Sequence, residues 1–158
     1  MQQRVLRQQM NEEFLLAPRS RVLLVDEDDA DREYYAGVLE AQGHEVTSCD
    51  LHQKGAELAE SGDFDFVITS QGGPAFEGKV VLERLRKRRN ESRLSGPTPW
   101  DIPVLVAASS ADMPSYLEAM QLGAVDYVEK PIHPRDLRRF LRSHQRPLRF
   151  AARSGPAV

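Results

Sequence analysis

Cysteine is almost missing from this chain: Cys49 stands alone among 158 residues. A lone thiol excludes an intramolecular disulfide and fits a reducing cytoplasm. Beside a strand-like run it reads as packing. No apolar stretch approaches the roughly 18 residues of a membrane span. The first residues also lack the charged-then-apolar pattern of a secretory signal. A cytoplasmic protein with no membrane partner is the expectation. His44, His52, His133 and His144 lack metal-ligand spacing, so no zinc site is expected. Gly72-Gly73 sits outside any Gly-x4-Gly-Lys-Ser/Thr frame and reads as a turn rather than a phosphate cradle. Ser70 with His133 and an acid would suggest a hydrolase, but no Gly-x-Ser-x-Gly elbow accompanies them.

What the chain does have is a globular composition, 41% hydrophobic and 28% charged, with a net charge of −3. The charge is unevenly spread. Seven arginines (135, 138, 139, 142, 146, 149, 153) face only Asp136 from residue 135 onward, and residues 84–93 carry six bases against Glu91. The remainder is therefore strongly acidic. Solvated helix ends are the simpler account of the basic clusters; an acidic partner or nucleic acid is the alternative.

The pattern along the chain alternates strands with helices. Residues 1–19 place Val5, Leu6, Met10 and Phe14 at helical spacing before Pro18 and predict a short amphipathic extension, docked on the domain or used in a dimer. The continuous apolar run RVLLV at 21–25 predicts a central strand covered on both faces. Tyr34, Tyr35, Val38 and Leu39 predict one stripe of a helix over 31–41, ended by Gln42-Gly43. Residues 45–49 are half-polar, as for a strand nearer an edge. Helices are predicted over 51–60, 79–89, 111–122 and 135–143, and further strands over 64–69, 104–108 and 125–128. Residues 90–101 read as a loop, and residues 145–158 as a basic flexible tail. Five strands alternating with five helices predict a doubly wound, flavodoxin-like parallel sheet of order 2-1-3-4-5. In that order Asp26, Glu27, Ser70, Ala108 and Lys130 surround one crevice at the carboxyl ends of the strands, where such sheets place their chemistry.

Over residues 20–144 the chain resembles the receiver domain of bacterial response regulators, the phosphoacceptor module of two-component signalling. The resemblance rests on VDED at 25–28 with Arg32 six residues after Asp26, PVLVAAS at 103–109 and GAVDYVEKP at 123–131. It also rests on FDFVITSQGGPAFEG at 64–78, with Pro74 four and Gly78 eight residues beyond Ser70. It implies that Asp26 and Glu27 are the acidic pair that helps hold Mg²⁺, a hard ion needing oxygen ligands. It likewise implies that Lys130 contacts a phosphoryl oxygen and that Tyr127 is an aromatic switch; a packed core aromatic is an equal reading of Tyr127. Two positions depart from the family. Ser70 stands at the phosphoacceptor aspartate, and Ala108 at the signalling hydroxyl, with Ser109 adjacent. A serine hydroxyl is neutral and weakly nucleophilic without a base beside it, and two carboxylates beside a lysine make a poor magnesium site.

The expectation is a non-enzymatic pseudo-receiver with no required cofactor and a relict pocket of Asp26, Glu27, Ser70, Ala108, Ser109 and Lys130, whose ammonium pairs with Asp26 or Glu27. It would act by binding a signalling protein, or a second copy of itself, through a face carrying Met113, Tyr116, Met120, Tyr127 and Glu129. Two other readings stand beside it. One is a binder of nucleic acid or an acidic surface through clusters 84–93 and 135–153, converging at the opposite edge of the sheet. The other is a working phosphoreceiver with an unusual acceptor such as Asp28, Thr69 or Ser70. No recognisable output domain follows residue 143, so the chain reads as a single domain or as part of a longer protein.

Overall fold

The computed structural model describes residues 19–92 and 96–144. The segments read above as an N-terminal extension and a basic tail therefore lie outside the described residues, save for residue 19 of the extension.

Strands β1 (Arg21–Val25), β2 (Glu45–Cys49), β3 (Phe66–Ser70), β4 (Val104–Ala108) and β5 (Asp126–Glu129) form one parallel sheet in the order β2-β1-β3-β4-β5. The connecting helices are α1 (Asp29–Ala41), α2 (His52–Ala59), α3 (Lys79–Glu91), α4 (Met113–Gln121) and α5 (Pro134–Ser143). This is the flavodoxin-like arrangement expected from the alternation. Among the described residues no helix is long and apolar enough to cross a membrane.

Successive strand residues point to opposite faces, so the core divides in two. Leu23, Val25, Val67, Val104 and Val106 pack with Ala56 of α2, Leu82 and Leu85 of α3 and Ala119 of α4. Val22, Leu24, Phe66, Ile68 and Leu105 pack with Tyr35 and Leu39 of α1 and Leu137 and Leu141 of α5. The two faces explain why β1 is apolar from Val22 to Val25, β3 from Phe66 to Ile68 and β4 throughout.

Two differences from the sequence reading have local causes, and strand ends also shift, β3 spanning Phe66–Ser70 so that Ser70 closes the strand. Tyr34 is 52% exposed, not part of the α1 stripe. Tyr35 and Leu39, four apart, define the buried line, and Tyr34 lies one residue, about 100°, off it; its ring meets Tyr35 edge-on at 5.3 Å. Helix α3 continues to Glu91, with Arg88 and Arg89 in a last turn that suits positive charge. Strand β5 runs one residue later than expected.

Helix starts carry their own chemistry. The Oδ1 atoms of Asp28 and Asp112 accept the backbone N–H of Asp31 and Ser115, at 2.9 and 2.7 Å, and Nδ1 of His133 accepts that of Arg135 at 3.0 Å. Each side chain satisfies one of the orphan amides of a first helical turn.

Candidate functional site

Parallel pairing sets the carboxyl ends of β1, β3, β4 and β5 side by side. Backbone bonds carry the order just past the strands: Gln71 N–H donates to Ala107 and Lys130 N–H to Ala108, both at 2.8 Å. The result is a cleft of about 230 Å³ lined by Glu27, Ser70, Gln71, Ser109, Asp112 and Lys130 among others. Ser70 is buried and Ser109 exposed; Ala107 lines the cleft in place of the expected Ala108, which is buried in the hydrophobic core, and Asp26 is buried.

The Lys130 ammonium donates to Asp26 Oδ2 at 2.7 Å and to Asp31 Oδ2 at 2.8 Å. Glu27 is not its hydrogen-bond partner. Burial alone would push the lysine pKa down, but the two carboxylates outweigh it and hold the value above the ordinary 10.5. Burial raises Asp26, against the hydrogen bonds from Lys130 and from the Asp28 amide, which lies 3.0 Å from Oδ1. Both oxygens of Asp26 are thereby occupied.

Ser70 is clasped from two sides. Its hydroxyl donates a short hydrogen bond to Glu27 Oε2, and His52 Nε2 lies 2.8 Å from Oγ. A hydroxyl carries one proton. With that proton on the Glu27 bond, Ser70 can only accept from His52, which assigns the hydrogen to Nε2. Burial would raise Glu27, but the Ser70 bond, with help from His52 and Lys130, leaves its pKa below the usual 4.5. The imidazole is itself buried, with Glu77 Oε2 3.8 Å from Nδ1. It lies so close to Gly72 that a Cβ there would meet its Cε1 at 2.6 Å. The loop glycine, which reads as a turn residue in the sequence, makes room for the ring.

A third cluster links the cleft to the sheet edge. Tyr127 is turned inward, 8% exposed, and donates its phenolic proton to Gln71 Oε1 in a short bond. It accepts the Asp112 N–H at 3.2 Å. Gln71 Nε2 in turn donates to Gly73 O at 3.0 Å and to Asp112 Oδ2 at 3.2 Å. Tyr127 therefore lies beneath the expected partner face rather than on it. Met113, Tyr116 and Met120 are exposed there with Leu117, at 65%, 38%, 38% and 52%. Glu129 is exposed at the end of β5.

The sequence reading missed three residues that shape the site. Asp31 lay within the predicted helix, yet from the first turn of α1 it reaches the Lys130 ammonium. His52 had a signal: it follows β2, whose carboxyl end abuts that of β1 in the predicted order. Gln71 is simply the neighbour of Ser70. His133, considered as a partner of Ser70, caps α5 instead.

The described parts of the two basic clusters, residues 84–92 and 135–144, do not converge. Helix α3 packs on one face of the sheet and α5 on the other. Arg84 and Arg88 both grip Glu60, at 2.8 and 2.6 Å, and Arg89 donates to Trp100 O at 3.2 Å.

The response regulator receiver domain model matches residues 22–142. The chain belongs to the response regulator receiver family. It is 27% identical over 139 residues to the transcriptional regulatory protein FixJ of Bradyrhizobium diazoefficiens, covering 88% of this chain but 63% of FixJ. Less than two thirds of that regulator is therefore matched. Among solved structures, the CheY-like receiver domain protein of Methanospirillum hungatei aligns with a TM-score of 0.64 at 24% identity, over 80% of this chain and 93% of that one. The receiver domain of sensor histidine kinase PA1611 of Pseudomonas aeruginosa, which carries a magnesium ion in its active-site cleft, aligns with a TM-score of 0.65 at 20% identity, over 80% of this chain and 98% of that one. At these identities the structural likeness concerns the fold.

The residues of this receiver do not suit magnesium. The ion wants several unengaged oxygen ligands and sheds water reluctantly. Here Asp26 is occupied by Lys130 and the Asp28 amide, Glu27 by Ser70, and the strand end offers a neutral hydroxyl. Among the described residues no three His, Cys, Asp or Glu side chains converge as a metal site.

Proposed function

We propose that this receiver domain signals without phosphoryl transfer at β3, by docking a signalling protein through the face that α4 presents. The observation that carries the reading is the closed set of bonds in the cleft: Ser70 between Glu27 and His52, and Lys130 between Asp26 and Asp31. A family member of the usual kind attacks phosphorus with a free carboxylate beside a metal. Here the strand-end group is a hydrogen-bonded alcohol, and the cation that would meet the phosphoryl group neutralises two acids. The face available to a partner carries Met113, Tyr116, Leu117 and Met120 around a helix whose own core contact is Ala119. Methionine and aromatic side chains of this kind adapt to a partner surface.

The test is incubation with a small phosphodonor and Mg²⁺, followed by intact mass and peptide mapping. The wild-type chain should remain unmodified. Ser70→Asp, which restores a carboxylate at the strand end, is the comparison that should gain label. An adduct on wild-type Ser70, Thr69 or Asp28 would refute the proposal.

A further inference from the structure

We infer that the outer face of α5 is a binding surface for the phosphate backbone of a nucleic-acid duplex, separate from the α4 face. Arg135, Arg138, Arg139 and Arg142 are all exposed. Their spacing of three, four and seven residues places them on one stripe of the helix, opposite the buried Leu137 and Leu141. Among the described residues no carboxylate lies within 4.0 Å of the guanidinium groups of Arg135, Arg138 or Arg139. In the sequence, arginine recurs at 135, 139, 142, 146, 149 and 153, in steps alternating between four and three.

Fold stability does not account for this stripe. Like charges three and four residues apart on a helix repel, and Asp136 is the one acid on α5. Arg135 stands in the first turn, where positive charge opposes the helix dipole; Arg142 alone gains from it in the last turn. The arginines of α3 show the contrast, since Arg84 and Arg88 converge on Glu60 inside the protein.

The stripe also lacks what a protein partner would need. Protein interfaces keep an apolar centre and place charge at the rim, while the middle of this stripe is guanidinium alone. Nucleic-acid interfaces are polar and strongly positive. Arginine, used here with no lysine, presents a planar fork that matches phosphate oxygens in pairs. The inferred contacts are confined to phosphates, which position a protein on a duplex and carry no sequence information of their own.

The experiment is fluorescence anisotropy of a labelled mixed-sequence DNA duplex titrated with the full chain. With three phosphates neutralised, affinity should fall about forty-fold between 50 and 200 mM salt. The combined variant Arg135→Ala/Arg138→Ala/Arg139→Ala should bind at least tenfold more weakly at low salt and lose most of the salt dependence. The matching Arg→Lys set should keep the salt dependence, and Arg86→Ala/Lys87→Ala on the other face should bind as wild type. Circular dichroism should show all variants folded, since every altered side chain is exposed. The inference fails if the alanine set binds the duplex like wild type. It also fails if an acidic polypeptide such as polyglutamate binds this stripe and the duplex does not. Labelling at Ser70 in the phosphodonor experiment would leave it standing.

Discussion

The side-chain amide of Gln71 accepts the Tyr127 phenolic proton with its oxygen and holds Asp112, the cap of α4, with its nitrogen. A residue adjoining the strand-end serine thus fixes both the inward position of the aromatic and the start of the helix that carries the exposed apolar patch. Burial raises the Tyr127 pKa, and the bond from the Ser115 amide, with help from Gln71, holds Asp112 low.

Gln71→Ala should therefore strip a buried phenol of its acceptor, at a cost of about 1–3 kcal/mol in urea denaturation. Tyr127→Phe should cost a similar amount by orphaning the Gln71 oxygen. The double variant should cost clearly less than the two losses added, because neither polar partner is then left alone. Additive losses would show that the two side chains are not coupled.

Lys130→Met removes the cation from a cleft in which Asp26 is almost fully buried, and should cost about 3–5 kcal/mol at neutral pH. The sign of its pH dependence follows from linkage. The wild-type lysine, raised in the fold, contributes stability that is complete below pH 10.5 and is lost as pH rises through its higher folded value. That alkaline loss should be missing from the variant. Asp26, already raised by burial and now without its cation, should make the variant more stable as pH falls from 7, the reverse of an ordinary carboxylate. Denaturation midpoints at several pH values check both limbs.

Two glycine substitutions should move stability in opposite directions. A Cβ on Gly78 would stand 2.1 Å from the Ser70 carbonyl oxygen, so Gly78→Ala forces backbone apart at the base of the cleft and should cost about 1–3 kcal/mol. Gly37, within α1, has nothing within 4 Å of a built Cβ. Gly37→Ala should stabilise the domain by roughly 0.5–1 kcal/mol through helix propensity. Thermal melts of the two variants beside wild type decide the matter.

Much of the fold was legible because hydrophobic periodicity is a local property. RVLLV could not be half-exposed without wasting its apolar run, and the right-handed rule for the four crossovers makes the doubly wound arrangement the default. The acidic pair, the serine and the lysine could be set at one edge for the same reason: strand ends in a parallel sheet share a rim. The partners of those groups were less visible. Ser70 bonds residues 43 positions before it and 18 positions before it, and nothing in the spacing of His52 announces a contact made through space. Tyr34 and Tyr35 are adjacent and chemically alike, and only the rotation of α1 against the sheet separates the exposed ring from the buried one.

By itself the sequence determined that this chain builds a doubly wound sheet whose third strand ends in a hydroxyl residue, because strand identity and strand-end chemistry are written in contiguous residues. Tertiary structure alone decided which donors meet which acceptors: Lys130 with Asp26 and Asp31, Ser70 with Glu27 and His52, Tyr127 with Gln71. Hydrogen bonds act over about 3 Å, and only packing of the helices against the sheet brings residues so far apart in the chain within that distance.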